Sequence, residues 1–392
     1  MYRPGMPEAW NVRLVGHEPM GGEGDCMHVN HKDGFVFVGH MGERGTSIVD
    51  VHDPAKPRLV GRIPSSPNTH GHKVQVVDDL LLVNREKVPL TRGPFRAGLD
   101  VYDISRPTNP RHLAFWPCGG KGVHRMTYWE PPYAWVTAGA EDMTNQFLVV
   151  LDLRDPSRPH EVGRWWLPGM WAGGGEEPEW DDSWFVKLHH MLVRDGLGFA
   201  PWWDKGLVIL DVADPTTPRL VSHFELGHDR SRALHTACPL PGRDVLITTE
   251  ERWDDGCVGV APRARLIDIA DPARPRLAGE LSEPEGDFCD RGGRFGPHNV
   301  HEGRPNSLRD GSTVYVTWFN AGLRVFDVSD VARPVEIAWY VPDAPPGRPA
   351  VEINDVLVDE DGLIYCTDRN AGGLYVLELT SGAAAARPPR AA

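Results

Sequence analysis

Nowhere does this 392-residue sequence approach the ~18 consecutive apolar residues of a membrane span. No cluster of lysine or arginine offsets its formal net charge of −14. An acidic chain without a basic stripe is a poor match for a phosphate backbone or an anionic bilayer, so nucleic acid and membrane are excluded as expected partners. Cysteine is sparse: Cys26, Cys118, Cys238, Cys257, Cys289 and Cys366 are scattered, with no Cys-x-x-Cys pair. Neither a zinc ribbon nor a disulfide framework is implied, and reduced structural thiols are the expectation. The segment from Met1 to Pro7 has no apolar signal core, which points to a soluble, cytoplasmic protein. Also missing are an amphipathic helix, a Gly-x-Ser-x-Gly elbow, a P-loop and a His-Glu-x-x-His pair. The glycine-rich Gly119-Gly120-Lys121-Gly122 precedes a strand rather than a helix, so nucleotide binding is discounted.

What the chain does have is a repeat. A histidine opens an apolar alternating run, a second run ends in Asp-Val, and a proline-containing turn leads to a third, as in Gly296–Val300, Ser312–Trp318 and Leu323–Val328. Aligning the chain with itself puts His28, His72, His124, His190, His235 and His298 at one point of six units, with Asn354 in the seventh. The units are roughly 45–65 residues long, which suits four-stranded propeller blades with unequal loops. The 36 prolines and 42 glycines fit many short strands joined by tight turns. Asp53-Pro54, Asp155-Pro156, Asp214-Pro215 and Asp271-Pro272 recur after third strands as turn chemistry without a catalytic message. The last unit, ending at Leu379, lacks its outer strand, and Asn11 to His17 resembles the outer strands of other units. The fold expected is therefore all-β: one seven-bladed β-propeller over residues 1–380, its last blade closed by the N-terminal strand. Residues 381–392 are expected to form a disordered tail.

First strands of propeller blades line the central channel, so residues opening them converge on the axis. Six imidazoles there form a ligand-rich cage, and His28, His72, His124, His190, His235 and His298 are the candidate metal ligands. Imidazole suits a transition metal, with iron or copper favoured and zinc or manganese as alternatives. His31, His70, His189 and His301 lie beside the column and are expected in outer or core positions. Among acids near strand ends, Glu86 and Glu250 are the candidates for orienting ligands or moving protons. Two long segments, Trp165 to Trp203 with seven tryptophans and Ser282 to Gly296, are candidate lids over a small-molecule substrate.

The repeat resembles LVIVD-type propellers. Pro297-His298-Asn299-Val300, the pair His189-His190 and the x-Asp-Val strand followed by Asp/Ser and Arg-Pro are similar to pieces of the selenium-binding protein (methanethiol oxidase) family. The resemblance implies a seven-bladed propeller, histidine-bound metal on the axis and oxidative chemistry on a small substrate. That family's reactive cysteine motif has no counterpart here. The reading that results is a metal-dependent oxidoreductase, with a non-redox hydrolase, lyase or isomerase, or a non-catalytic scaffold, as alternatives.

Overall fold

Runs such as Val36-Phe37-Val38 and Leu207-Val208-Ile209-Leu210 are apolar on both faces, and they form the middle strands of antiparallel meanders packed face to face. The computed structural model describes residues 8–22, 24–226 and 233–380; the tail expected at 381–392 lies outside them. Among the described residues there is no α-helix, only one 3₁₀ turn at Ala172–Gly174. The strands of the described residues form six sheets, five of them four-stranded. The sixth has nine strands and comprises two four-stranded meanders, Val74 to Pro117 and Gly119 to Trp165, joined where Gly122 pairs with Glu86, with the short strand Thr69–His70 alongside. The inner strands, or the segments that precede them, border one central cavity, the arrangement of a β-propeller.

The N-terminal strand closes the ring as expected. Val12–Glu18 pairs antiparallel with Gly373–Leu379, from Val12 opposite Leu379 to Glu18 opposite Leu374, with a register shift between Leu14 and Gly16. A second closure was not foreseen: Glu8–Trp10 is the outer strand of the preceding sheet, with Trp10 opposite Trp339. Asn11 makes the step between the two sheets. It takes a positive φ of 54°, which asparagine tolerates better than most residues, and its side-chain amide donates to the Ile337 carbonyl at 2.9 Å. One N-terminal segment therefore supplies the outer strands of two neighbouring sheets.

The recurrent Asp-Pro turns are Asx turns. The Asp53, Asp155, Asp214 and Asp271 carboxylates each accept the amide two residues on, at 2.9–3.2 Å. Their backbones pack onto the neighbouring unit. A Cβ on Gly16 would sit 2.2 Å from the Pro54 carbonyl, and one on Gly163 would sit 2.3 Å from that of Pro215. This is why the outer-strand pattern carries glycine: the next turn occupies the side-chain position.

One expectation is corrected. Cys257 and Cys289, 32 residues apart, form a disulfide with Cα atoms 5.4 Å apart. The two loops meet because Gly256 pairs with Arg294 and its amide donates to the Gly293 carbonyl at 2.8 Å, a contact that cysteine spacing cannot reveal. The other four cysteines are free, and burial pushes the thiols of Cys26, Cys238 and Cys366 up, as suits structural residues.

Candidate metal centre

The column positions are irregular points of the inner strands. His124, His235 and Asn354 each fall in the gap of a register shift between the first and second strands of their units, and His28 lies in the shift between Cys26 and Val29. A bulge leaves its extra residue unpaired and bends the strand, so the side chain can turn out of the sheet alternation. His72 lies between the strands Thr69–His70 and Val74–Val77, and His190 precedes Leu192–Arg194. His298 stands before its strand, with its amide bonded to the Thr317 carbonyl at 2.9 Å.

A cavity of about 830 Å³ lies over these positions. Six imidazoles form an arc along its wall: His70, His72, His124, His189, His235 and His298. Successive ring centroids are 4.4, 5.0, 5.0, 3.8 and 4.2 Å apart. Four are column members. The other two, His70 and His189, were expected off the axis; His70 ends the short strand Thr69–His70 two residues before His72, and His189 directly precedes His190. His28 and His190 are not on the wall. Their side chains are buried in a lower layer, where Arg125 and Arg304 stand near both; burial first, then these guanidinium groups, holds both imidazoles well below the usual histidine range. That layer is closed on itself: Glu302 pairs with Arg125 and Arg304, and Arg304 reaches Asp355 at 3.3 Å.

At one end of the arc, His235 and His298 face Glu251. The His298 Nδ1–H donates to the Asn354 carbonyl at 2.7 Å, which leaves the Nε2 lone pair free, 3.5 Å from Glu251 Oε1. The His235 Nδ1–H donates at 2.9 Å to Thr236 Oγ1, whose own hydroxyl is turned to the His298 carbonyl at 3.4 Å. Its Nε2 is 3.8 Å from Glu251 Oε2. Two lone pairs and a carboxylate thus point at one another, and none of these three side chains offers the others a donor. Burial, then neighbouring charges such as Arg294 for His298, holds both imidazoles well below the usual range, so a proton is not what resolves it. Each Nδ1–H bound to an acceptor fixes the tautomer in which Nε2 is a ligand. Two neutral imidazoles and a carboxylate fit a divalent transition metal. Arg294, also on the cavity wall, holds the carboxylate as well, its Nη1 donating to Glu251 Oε1 at 2.9 Å.

At the other end, His70, His72 and Glu86 offer the same residue types in a different state. Glu86 Oε2 accepts the His124 Nδ1–H at 2.9 Å and lies 3.0 Å from His70 Nε2, while Oε1 accepts from Gln146 Nε2 at 2.8 Å. His72 Nδ1 accepts from the Asn84 amide at 3.1 Å, so its Nε2 carries the proton and has no partner. Burial works to raise the Glu86 carboxyl, but His124 and His70 outweigh it and hold it well below the usual range. Burial, with Lys187, lowers His124 to about 4. This end is a hydrogen-bonded acid–base group, with its carboxylate already satisfied.

Of the two candidate acids, Glu86 is on the wall and Glu250 is not. Glu250 pairs with Arg265 and accepts the Arg263 amide at 2.9 Å, on the face away from the cavity. Glu251 takes the wall position. Strand alternation carried the signal: Thr249, two residues before Glu251, turns its hydroxyl to the His298 carbonyl, whereas Thr248 bonds Arg265. Two lysines also escaped the sequence reading. Lys73 and Lys187 line the cavity; burial, then Arg125, lowers Lys73 to about 7, and burial, then Lys121, lowers Lys187 to about 8 against the pull of Glu86. Of the tryptophan-rich segment, only Phe185, Lys187, His189 and Trp203 reach the cavity. Trp166 and Trp171 instead bond Glu176 and Asp142, and Trp202 is core. From Ser282 to Gly296 only Arg294 does so.

The LVIVD repeat family model matches residues 23–67, 201–225 and 311–341. No curated protein matches the sequence. Among solved structures, the RRP9 WD40 repeats are similar at 10% identity and a TM-score of 0.60, covering 95% of this chain and 100% of that one. The Cps50 (Swd1) β-propeller domain of Myceliophteria thermophila is similar at 14% identity and a TM-score of 0.57, covering 96% and 100%. None of these matches bears on the finer resemblance to the selenium-binding protein family. With sheets bordering one cavity and propeller neighbours, the chain is a β-propeller, three segments of which match the LVIVD repeat model.

Proposed function

We propose that the protein is a metalloenzyme whose transition-metal ion is held by His235, His298 and Glu251, and that it oxidises or oxygenates a small organic substrate in the axial cavity. We read the nine-stranded sheet as two blades, which makes the propeller seven-bladed. The observation that carries the proposal is the meeting of two fixed Nε2 lone pairs and a carboxylate, 3.5 and 3.8 Å apart, in a buried site. Three protein ligands of this kind leave positions open, the donor set associated with non-haem iron; copper is next, with zinc or manganese as the non-redox alternatives. When bound, the ion supplies Lewis acidity or a redox couple.

The chain's own groups do the rest. Glu86, between the His124 Nδ1–H and His70 Nε2, holds a carboxylate and a proton within hydrogen-bond reach at the far side of the cavity. Phe185, Trp203 and Trp253 line the wall and exclude water from a substrate's apolar part. The test is elemental analysis of protein purified without a histidine tag from metal-replete medium. Near-stoichiometric iron or copper, with colour or an EPR signal, supports the reading. A colourless zinc protein supports the hydrolase, lyase or isomerase alternative, and protein without stoichiometric metal leaves only the scaffold.

A further inference from the structure

The wall of the cavity opposes the charge of the whole molecule. In a chain of net charge −14, seven lysines and arginines line the cavity; Arg294 and Arg369 pair with Glu251 and Glu352, whereas Lys73, Lys87, Arg92, Lys121 and Lys187 form no ion pair with a carboxylate among the described residues. The two wall acids are already engaged, Glu86 by imidazoles and Gln146, Glu251 by Arg294. Lys73 and Lys187 are buried, and placing two like charges in a low-dielectric site is costly unless something compensates them.

Next to the lysines stands an aromatic corner. Trp203 and Trp253 have ring centroids 4.5 Å apart, and Phe185 lies 5.1 Å from Trp203 and 5.6 Å from Trp253. Lys187 Nζ sits 4.6 Å over the Trp203 ring and Lys121 Nζ 5.9 Å over Phe185. His189, 6.0 Å from Trp203, links this corner to the imidazole arc. Apolar faces thus adjoin ammonium groups that have no carboxylate partner, Lys187 Nζ donating only to the Gln146 Oε1 at 3.2 Å.

We infer that the cavity selects an amphipathic organic anion: an aromatic or similarly apolar body against Phe185, Trp203 and Trp253, with a carboxylate or equivalent acid group taken by the lysines. This rests on the enzyme reading of the same cavity and names its substrate class. The recognition belongs to the lysines and is independent of the metal. A focused positive wall in an acidic protein also draws anions in, more strongly at low salt.

The test compares phenylacetate with phenylacetamide, its neutral counterpart of nearly equal shape, by isothermal titration calorimetry on chelator-treated and metal-loaded protein. We expect the acid to bind at least ~10-fold more tightly than the amide in both forms, the worth of one charge-assisted hydrogen bond. Arg92 and Lys121 are exposed at the mouth, so Arg92→Gln and Lys121→Gln leave the core intact. Each should weaken phenylacetate several-fold and phenylacetamide hardly at all. Lys187→Met should do so more strongly. Equal affinity for acid and amide, or no saturable binding of either at millimolar concentration, overturns the inference. A preference for the acid seen only in the metal-loaded form also overturns it, while leaving the metal reading intact. The converse, an acid preference in protein that takes up no metal, sinks the metal reading and leaves the lysine pocket standing.

Discussion

The two ends of the imidazole arc each bring two histidines and one glutamate together within ligand distance, and they differ in where the protons are. Around Glu86 donors meet the carboxylate: the His124 N–H and the Gln146 amide both serve it, and His70 Nε2 lies 3.0 Å away. Around Glu251 the imidazole protons point away, to Asn354 and Thr236, and lone pairs are left facing a carboxylate. Residue type alone therefore does not make a metal site. The partners of the far ring nitrogen decide whether a His/Glu group binds a cation or shares protons.

The largest expected effect breaks the comparison at its centre. His298→Ala and Glu251→Ala should each reduce metal from near one ion per chain to traces in elemental analysis, whereas Glu86→Ala should retain it. Loss of metal in Glu86→Ala as well would mean that the two ends form one site. His28→Ala and His190→Ala, in the layer beneath, should also retain metal.

A smaller effect concerns the outer hydrogen bond. Thr236→Val removes the acceptor of the His235 Nδ1–H and should weaken metal affinity roughly 10- to 100-fold in a competitive chelator titration. Asn84→Ala, which frees His72 at the opposite end, should leave that affinity unchanged. A Thr236→Val protein that binds as the parent does would show that the tautomer is fixed by something else.

Acid should separate the two groups further. His235 and His298 have folded pKa values below their ordinary one, so they bind fewer protons than free imidazole as pH falls. Their lone pairs stay available below the ordinary value of 6.5, and metal retention should be flat from pH 7.5 through 6.5, failing only at markedly lower pH. Half-loss at the ordinary imidazole pKa would count against burial as the controlling term.

The smallest effect is on stability. Glu86 has a depressed pKa, so its carboxylate contributes stability that is present above the ordinary value of 4.5 and is lost as pH falls through the folded value. Glu86→Gln should therefore cost ~1–3 kcal/mol by urea denaturation at neutral pH, equally with and without metal, and much less in acid. A cost that appears only in the metal-bound protein would make Glu86 a ligand after all.

Much of the architecture was legible in order. Apolar alternation, with Asp-Pro turns and outer-strand glycines recurring in several units, is a set of local signals that fix strands, turns and ring closure through Val12–Glu18. The second closing strand, Glu8–Trp10, was not legible, because three residues carry no period. Within the site, the sequence marked His72, His124, His235 and His298 as wall residues and Glu86 as an acid among them, since repetition of one residue type at equivalent positions survives unequal loops. It did not separate Glu251 from Glu250, because adjacent strand residues face opposite sides and the phase depends on pairing with Ala233 and Leu234.

By itself, then, the sequence determined that this is a ring of short strands with histidines at its axis, because both facts are written in local periodicity. Tertiary structure alone decided which imidazoles share a wall, since bulges and strand breaks re-aim His28 and His190 into a cation-rich layer and bring His70 and His189 out of the background. It also decided where each proton goes, because the carbonyl of Asn354 and the carboxylate of Glu86 come from the unit next to the ring they hold, 56 and 38 residues away along the chain. Hydrogen bonds across blades are long-range contacts, and no spacing along one strand encodes them.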